Sequence, residues 1–129
     1  MGAIFMFGDG GPVVRDTVEH ASGFMEAVDV ENGEFDAVYD ETGLILRPEV
    51  ENRKVRLLPT ESADFDDLIR RLTDWCQTQG ASLDSESGDF PIQVARQMAE
   101  SEWNARWPKR PLWLSRRIHG TSPPTFDGD

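Results

Sequence analysis

The chain has 129 residues, of which 38% are hydrophobic and 29% are charged, and its formal net charge is −11. This length suits one domain, and the composition favours a folded protein over a disordered one. A strongly negative field repels nucleic acid and anionic membranes, so it argues against both as partners. No stretch approaches the roughly 18 apolar residues of a membrane-spanning helix. The single cysteine, Cys76, excludes an intramolecular disulfide and favours a reducing, cytoplasmic compartment.

Charge is distributed unevenly along the chain. Residues 1–69 carry 16 Asp and Glu against 5 Lys and Arg, whereas residues 70–129 carry 8 of each kind. The whole net negative charge therefore belongs to the first half. An acidic surface of this kind either maintains solubility or accelerates encounter with a basic partner.

The first predicted elements are a strand and a short helix. An apolar run predicts a strand over residues 3–7, and a glycine-rich loop of residues 8–11 follows it. Pro12 suits the first turn of a helix. Apolar residues at helical spacing extend this predicted helix through Val14, Val18 and Ala21.

Four consecutive strands are predicted next, because apolar and polar residues alternate between short turn sequences. Asn32-Gly33 is the strongest of these turn signals, since both residues tolerate the positive φ of a type I′ hairpin. Pro48 predicts that the third strand lies at a sheet edge or contains a bulge. The four strands cover residues 24–31, 34–40, 44–51 and 54–59, with a glycine-closed turn at 40–43 and a two-residue turn at 52–53.

The hydrophobic pattern takes on a helical period after Pro59, which predicts a helix near residues 64–79. Asp64 is a good N-cap and Gly80 is a good stop signal. A second helix is predicted near residues 90–103. We expect the first of these helices to bury one stripe against the sheet, made of Phe65, Leu68, Ile69, Leu72, Trp75 and Cys76.

Together these elements predict one α+β domain over residues 1–119. It consists of an antiparallel β-meander of about four to five strands with helices packed on one face, because an amphipathic sheet must be covered. Residues 120–129 are rich in Gly, Pro, Ser and Asp and have little to bury. We therefore expect a disordered C-terminal tail there.

The predicted hairpin at Asn32-Gly33 has a fixed register because its loop has two residues. Glu31 then faces Glu34 and Asp29 faces Asp36, with all four carboxylates on one face of the ribbon. Like charges placed directly opposite each other destabilise a sheet. The next hairpin instead opposes acidic residues to basic ones, so folding alone does not account for the acidic hairpin.

This carboxylate patch has three interpretations. A basic protein partner binds it, or a divalent cation binds it, although no calcium-loop spacing is present. In the third interpretation, water and a basic segment of the same chain screen it. The first interpretation makes the acidic residues a partner-binding site that extends into the following turn, formed by Asp29, Glu31, Glu34, Asp36, Asp40 and Glu41.

The segment of residues 103–119 is basic and aromatic, with five cations, three tryptophans and no acid. Such a composition suits nucleic-acid binding, a protein interface or a core. We favour the core, with the cations lying over the acidic half, because the overall charge opposes nucleic acid. If the segment is instead a secondary interface, its contact residues are Trp107, Arg110 and Trp113.

No catalytic, cofactor or metal site is predicted. The loop Gly8-Asp9-Gly10-Gly11 lacks the Lys-Ser/Thr pair of a phosphate-binding P-loop, and Asp9 repels a phosphate. Asp16 and His20, four residues apart on a predicted helix, suit an ion pair better than a metal site that lacks further ligands. Cys76 falls on an apolar stripe and has no local base to activate it.

These features together predict an acidic protein-binding domain. In size, charge and compartment the chain is similar to bacterial immunity proteins, and that resemblance implies an inhibitor of a basic toxin or nuclease. One alternative is a small enzyme or ligand-binding domain with its site between the sheet and the loop of residues 8–11. Another is a subunit of a self-assembling complex, in which the acidic half of one copy meets the basic segment of another.

Overall fold

The computed structural model describes residues 3–8 and 11–106. Predictions for residues 107–129, which include the secondary interface at Trp107, Arg110 and Trp113 and the disordered tail, lie outside these described residues. The strands are β1 (Ile4–Gly8), β2 (Val13–Arg15), β3 (Phe35–Asp40), β4 (Leu44–Glu51) and β5 (Lys54–Ala63). The helices are α1 (Val18–Phe24), α2 (Ala27–Glu31), α3 (Phe65–Gln79) and α4 (Phe90–Arg106).

The five strands form one antiparallel sheet in the order β2-β1-β3-β4-β5, which confirms the α+β class and the meander. The β4–β5 hairpin has the predicted register, with Glu51 opposite Lys54. Asn52 and Arg53 turn this hairpin with φ values of 52° and 64°, as a type I′ turn requires. Pro48 pairs with Leu57, and the irregularity of β4 lies between Leu44 and Leu46 rather than at the proline.

Alternate residues of β1 lie in two hydrophobic cores, one on each face of the sheet. Phe5 and Phe7 belong to the core beneath α3 and α4, whereas Ile4 and Met6 belong to the core beneath α1. The two long helices thus share one face, as predicted, and the two short helices cover the other face. Burial on both faces explains why β1 is apolar throughout instead of alternating with polar residues.

The helix predicted after the loop of residues 8–11 begins later than expected. Residues 13–15 form β2 instead, and the backbone N–H of Gly11 donates to Gly8 O over 3.0 Å to close the β1–β2 turn. The loop therefore joins two strands and not a strand to a helix. Helix α1 follows Thr17, whose side chain accepts a hydrogen bond from the N–H of His20 as an N-cap.

The strand predicted for residues 24–31 is wrong, because residues 27–31 form helix α2. Gly33 is left-handed with a φ of 71°, but Asn32 has a φ of −83°, so the pair does not form a type I′ turn. The N–H of Gly33 donates to Val30 O and the N–H of Glu34 donates to Asp29 O. These two bonds are those of a Schellman motif. Asn32-Gly33 thus ends a helix instead of turning a hairpin.

Helix α3 has the predicted ends, since Asp64 Oδ1 accepts from the N–H of Asp67 and Gly80 is left-handed. Its buried stripe is narrower than predicted. Leu68, Leu72 and Cys76 are buried, and Ile69 and Trp75 pack partly against the core. Phe65 is 45% exposed, which contradicts its assignment to the core. Among the described residues no helix is long and apolar enough to cross a membrane.

Candidate functional site

The loss of the first hairpin separates the six predicted partner-binding residues. Asp29 and Glu31 lie on α2, and Glu34 follows the Schellman turn. The predicted opposition of Glu31 to Glu34 and of Asp29 to Asp36 across two strands does not exist. The carboxylates of α2 therefore do not repel one another across a strand pair. Their position on a helix decides which other side chains they lie near.

Asp36 is the extra residue of a bulge in β3. Phe7 pairs with Ala37 and Gly8 pairs with Phe35, so Asp36 has no partner on β1. It lines a cleft with residues of α3, on the sheet face opposite to α1 and α2. Bulges commonly re-aim a side chain in this way. Asp36 therefore belongs to this cleft and not to the surface of α2.

Asp40 and Glu41 lie at the other end of β3, and Asp40 is about 20 Å from Glu34 at the usual rise of a strand. The carboxylate of Asp40 has a structural role there. Its Oδ1 accepts hydrogen bonds from Thr42 N, Thr42 Oγ1 and Leu44 N at 2.6–3.1 Å. This turn closes with Gly43, as predicted, and its two acids do not join those of α2.

Helices α1 and α2 nevertheless carry the acidic surface of the protein. Residues 16–46 contain nine Asp and Glu and no Lys or Arg. Among the described residues, four carboxylates of the two helices and their linker make no ion pair or side-chain hydrogen bond. We call them the α1–α2 carboxylate surface: Glu19, Glu26, Asp29 and Glu31.

Five arginines of the described residues pair with carboxylates outside this surface. Arg15 pairs with Glu102 over 3.0 Å, and Arg56 pairs with Glu51 over 3.3 Å. The ion pairs of Arg47, Arg70 and Arg71 likewise involve carboxylates outside residues 16–46. These pairs compensate part of the negative charge outside α1 and α2, although Glu61, Asp66 and Glu100 also make no ion pair among the described residues. Glu19 and Glu26 line a groove with Arg53, Lys54 and Arg56, whereas Asp29 and Glu31 do not.

Exposed apolar side chains accompany the α1–α2 carboxylate surface. Phe24 is 41% exposed and Val28 is 57% exposed, and they lie on α1 and α2 respectively. Large apolar side chains that remain in contact with water beside a polar rim are typical of protein interfaces. The combination can therefore bind a partner by apolar contact and attract it by charge.

A cleft of about 580 Å³ opens beside the loop of residues 8–11, on the α3 face of the sheet. Gly8 and Gly11 form one wall, and a β-carbon at Gly8 would approach Glu34 O to 2.2 Å, so position 8 has to be glycine. The opposite wall belongs to α3. Charged and aromatic residues of the cleft include Asp36 of β3 and, on α3, Arg70, Arg71, Asp74 and Trp75.

Arg71 is fixed at the edge of this cleft. Its Nε donates to Asp67 Oδ2 over 2.8 Å, and its guanidinium carbon lies 5.2 Å from the centroid of the Phe7 ring. Its Nη1 and Nη2 atoms have no acceptor in the described part of the chain. A guanidinium held in this way presents two parallel donors, the arrangement that binds a carboxylate.

Asp67 is the centre of the network that holds Arg71. It also accepts hydrogen bonds from Tyr39 Oη over 2.7 Å and from Arg70 Nη2 over 2.5 Å. The hydrogen bonds from Tyr39, Arg71 and Arg70 hold the pKa of Asp67 well below its usual value. Burial and the bond to Asp67 raise the pKa of Tyr39 to about 12. Sequence reasoning missed this network, although the i, i+4 spacing of Asp67 and Arg71 was a readable signal.

The remaining candidates from the sequence have ordinary roles. His20 Nδ1 lies 2.5 Å from Asp16 Oδ1 at the helix surface, which agrees with the expected ion pair. Cys76 is a buried free thiol, and burial raises its pKa, so it is not activated. In the part of the chain that the structure describes, no group of three or more His, Cys, Asp and Glu side chains is placed to hold a metal ion.

Comparison of the chain with protein-family models, curated proteins and solved structures gave no significant match.

Proposed function

We propose that the chain is a protein-binding domain that binds a basic protein through the α1–α2 carboxylate surface, as an inhibitor of a basic toxin or nuclease would. The observation that carries the proposal is the combination of charge and exposed apolar side chains. Four carboxylates of the two short helices and their linker make no ion pair among the described residues, and the same helices carry the exposed Phe24 and Val28.

Physical reasoning supports an external partner for this surface. The four carboxylates of the α1–α2 carboxylate surface, Glu19, Glu26, Asp29 and Glu31, produce a local negative field. Such a field increases the association rate with a basic protein and adds specificity more than affinity. Val28 adds an apolar contact that becomes favourable when it is covered. An inhibitor of a nuclease needs these properties, because a nuclease cleft is basic to match phosphate.

The proposal is tested by co-expressing the chain with a basic toxin or nuclease encoded beside its gene. The purified pair is then studied by stopped-flow association at several salt concentrations. Asp29→Asn with Glu31→Gln should slow association and reduce its salt dependence. Glu61→Gln with Glu100→Gln removes the same charge from exposed positions on β5 and α4 and serves as the matched control.

Two outcomes would contradict the proposal. One is the absence of a complex and of protection from the toxin or nuclease. The other is equal slowing by the two double variants, which would mean that only the net charge matters. Slowing confined to the α2 variant supports the proposed surface.

A second candidate function is the binding of a small zwitterionic ligand in the cleft beside residues 8–11. The specific observation is that Arg71 presents two donors to a cleft that also contains Asp36 and Asp74. A free amino acid, with one carboxylate and one ammonium group, is the simplest probe. Saturable shifts of the Gly11 and Trp75 NMR signals with glycine or glutamate, lost in Arg71→Gln, support this function. Shifts that remain linear in ligand concentration up to about 10 mM contradict it, because they mean a binding free energy weaker than about −3 kcal/mol.

A further inference from the structure

The cleft beside residues 8–11 is larger than the backbone groups of an amino acid require. Its volume of about 580 Å³ lies within the range of about 300–1,000 Å³ that is usual for sites of small-molecule ligands. Glycine fills only a small part of such a space. A ligand that uses the whole cleft therefore has a side chain, and the lining of the cleft selects its chemistry.

The α3 wall of the cleft presents a cationic and an anionic group close together. Arg71 and Asp74 are three residues apart on α3, so their β-carbons are about 5–6 Å apart on one face. The two Nη atoms of Arg71 have no acceptor in the described part of the chain. Asp74 is 65% exposed and has only a long contact of 3.7 Å with Arg70 Nη1. A ligand α-carboxylate on Arg71 thus brings its α-ammonium group next to Asp74.

A second carboxylate belongs to the sheet side of the cleft. Asp36, the bulge residue of β3, lies next to Gly8 along the strand pair and is exposed. Its carboxylate makes no ion pair or side-chain hydrogen bond among the described residues. Because Asp74 on the helix side satisfies the α-ammonium group, Asp36 is left for a second cation.

The formal charge of the cleft agrees with a ligand that has two cations. The three carboxylates and two guanidinium groups of the cleft and its supporting network give 2 − 3 = −1. These groups belong to Asp36, Asp67, Asp74, Arg70 and Arg71. A neutral zwitterion leaves this charge uncompensated, whereas a ligand with one carboxylate and two ammonium groups compensates it.

Trp75 supplies a surface for a long side chain. It is four residues after Arg71 on α3, lines the cleft and packs only partly against the core. An indole ring in this position can pack against the methylene groups of a basic side chain and attract its cation.

We propose that the cleft binds a basic amino acid of the lysine type. Its α-carboxylate binds Arg71, its α-ammonium group binds Asp74, and its side-chain cation binds Asp36. This selectivity rests on the second candidate function, the binding of a zwitterionic ligand in the same cleft, and is independent of the α1–α2 carboxylate surface.

The experiment compares two amino acids on the full-length protein. L-Norleucine resembles L-lysine in its aliphatic chain but lacks the terminal ammonium group. Titrations are followed through the NMR signals of Gly11 and Trp75. We expect lysine to bind at least tenfold more tightly than norleucine, because only lysine has a cation for Asp36.

Two variants separate the side-chain contact from the backbone contacts. Asp36→Asn should weaken lysine binding about tenfold and leave norleucine binding unchanged. Asp66→Asn removes the same charge from an exposed position of α3 outside the cleft and should leave both ligands unaffected. Asp36 is exposed, so its replacement is not expected to prevent folding, and the NMR spectrum of the free variant verifies this.

Three results would overturn the proposal, and they have different meanings. Saturable binding of both ligands with equal affinity would leave the second candidate function standing without the selectivity. An equal loss of both ligands in Asp36→Asn would show that Asp36 does not act on a side-chain cation. Absence of saturable binding for lysine, norleucine and glycine would reject the candidate function together with the selectivity.

Discussion

The hydroxyl of Tyr39 on β3 donates to Asp67 Oδ2 on α3 over 2.7 Å, and this bond joins the sheet to the helix beside the cleft. The same carboxylate holds Arg71 and Arg70. One ionised group therefore fixes the orientation of α3 relative to β3 and also positions the guanidinium that faces the cleft. Three donors stabilise its charge, as a partly buried carboxylate requires.

Asp67→Asn should destabilise the protein by about 1.5–3 kcal/mol at neutral pH, since hydrogen bonds to a charged group are lost. The folded pKa of Asp67 lies below its unfolded value of about 3.9, so this stabilisation is complete above about pH 5 and decreases as the pH falls toward the folded pKa. Urea unfolding between pH 3 and pH 7 measures it. Asp66→Asn, one residue away and exposed, is the control. A difference between parent and variant that grows in acid would disprove the assignment.

Tyr39 is the only tyrosine of the chain, so alkaline titration of tyrosinate absorbance reports this residue alone. We expect an apparent pKa of about 12 in the folded protein. The unfolded chain should titrate near 10. Because the folded pKa is the higher one, the contribution of Tyr39 to stability is complete below about pH 10 and is lost as the pH rises through the folded pKa. Asp67→Asn should lower the folded value, and an unchanged value would show that Asp67 does not contribute.

Leu72 and Phe65 on α3 should respond differently to truncation. Leu72 is fully buried, so Leu72→Ala should cost about 2–5 kcal/mol in the free energy of unfolding. Phe65 is 45% exposed, so Phe65→Ala should cost clearly less, in the range of about 1 kcal/mol. Denaturant unfolding of both variants decides this. Equal losses would mean that Phe65 is internal, as the sequence pattern alone indicates.

Replacement of Gly43 and of Gly23 by alanine should change the free energy of unfolding in opposite directions. Gly43 has a φ of 86°, and a β-carbon there would lie 2.6 Å from the Cα of Phe65. Gly43→Ala should therefore destabilise by more than about 1–2 kcal/mol. Gly23 lies in α1 with nothing within 4 Å of the added carbon, so Gly23→Ala should stabilise by about 0.5–1 kcal/mol. Thermal unfolding of the two variants tests the contrast, and a stable Gly43→Ala would refute the described turn.

Asp29 lies in the first turn of α2, where a negative charge interacts favourably with the helix dipole. Asp29→Asn should therefore lower stability by about 0.3–1 kcal/mol. If Asp29 instead faced another acid across a strand pair, the same substitution would raise stability, because removing one charge relieves the repulsion. Urea unfolding at low salt measures the change, with Glu61→Gln on β5 as the control. A gain in stability would favour the hairpin over the helix.

The local sequence was sufficient for the elements whose signals agree with one another. Asn52-Arg53 joins two alternating runs that oppose Glu to Lys and Arg, and the structure has that turn and register. For α3, the cap Asp64, the helical period and Gly80 all indicate the same element. Residues 24–31 lacked such agreement, because a short run rich in valine suits a strand as well as one turn of helix.

Tertiary contacts decided the remainder. Asn32-Gly33 suits a type I′ hairpin or the end of a helix, and the choice depends on what the preceding residues bury. Ala27 and Val30 pack on the second face of the sheet, which would otherwise be left open, so residues 27–31 form a helix over it.

The sequence by itself determined the α+β class, the β4–β5 hairpin, helix α3 and the concentration of negative charge in the first half, because short-range periodicity, turn chemistry and composition carry that information. Only the tertiary structure decided which carboxylates share a surface. The bulge at Asp36 re-aims one of them into the α3 cleft, and the length of β3 separates Asp40 and Glu41 from α2. These placements depend on pairing between strands far apart in the chain, which no local pattern specifies.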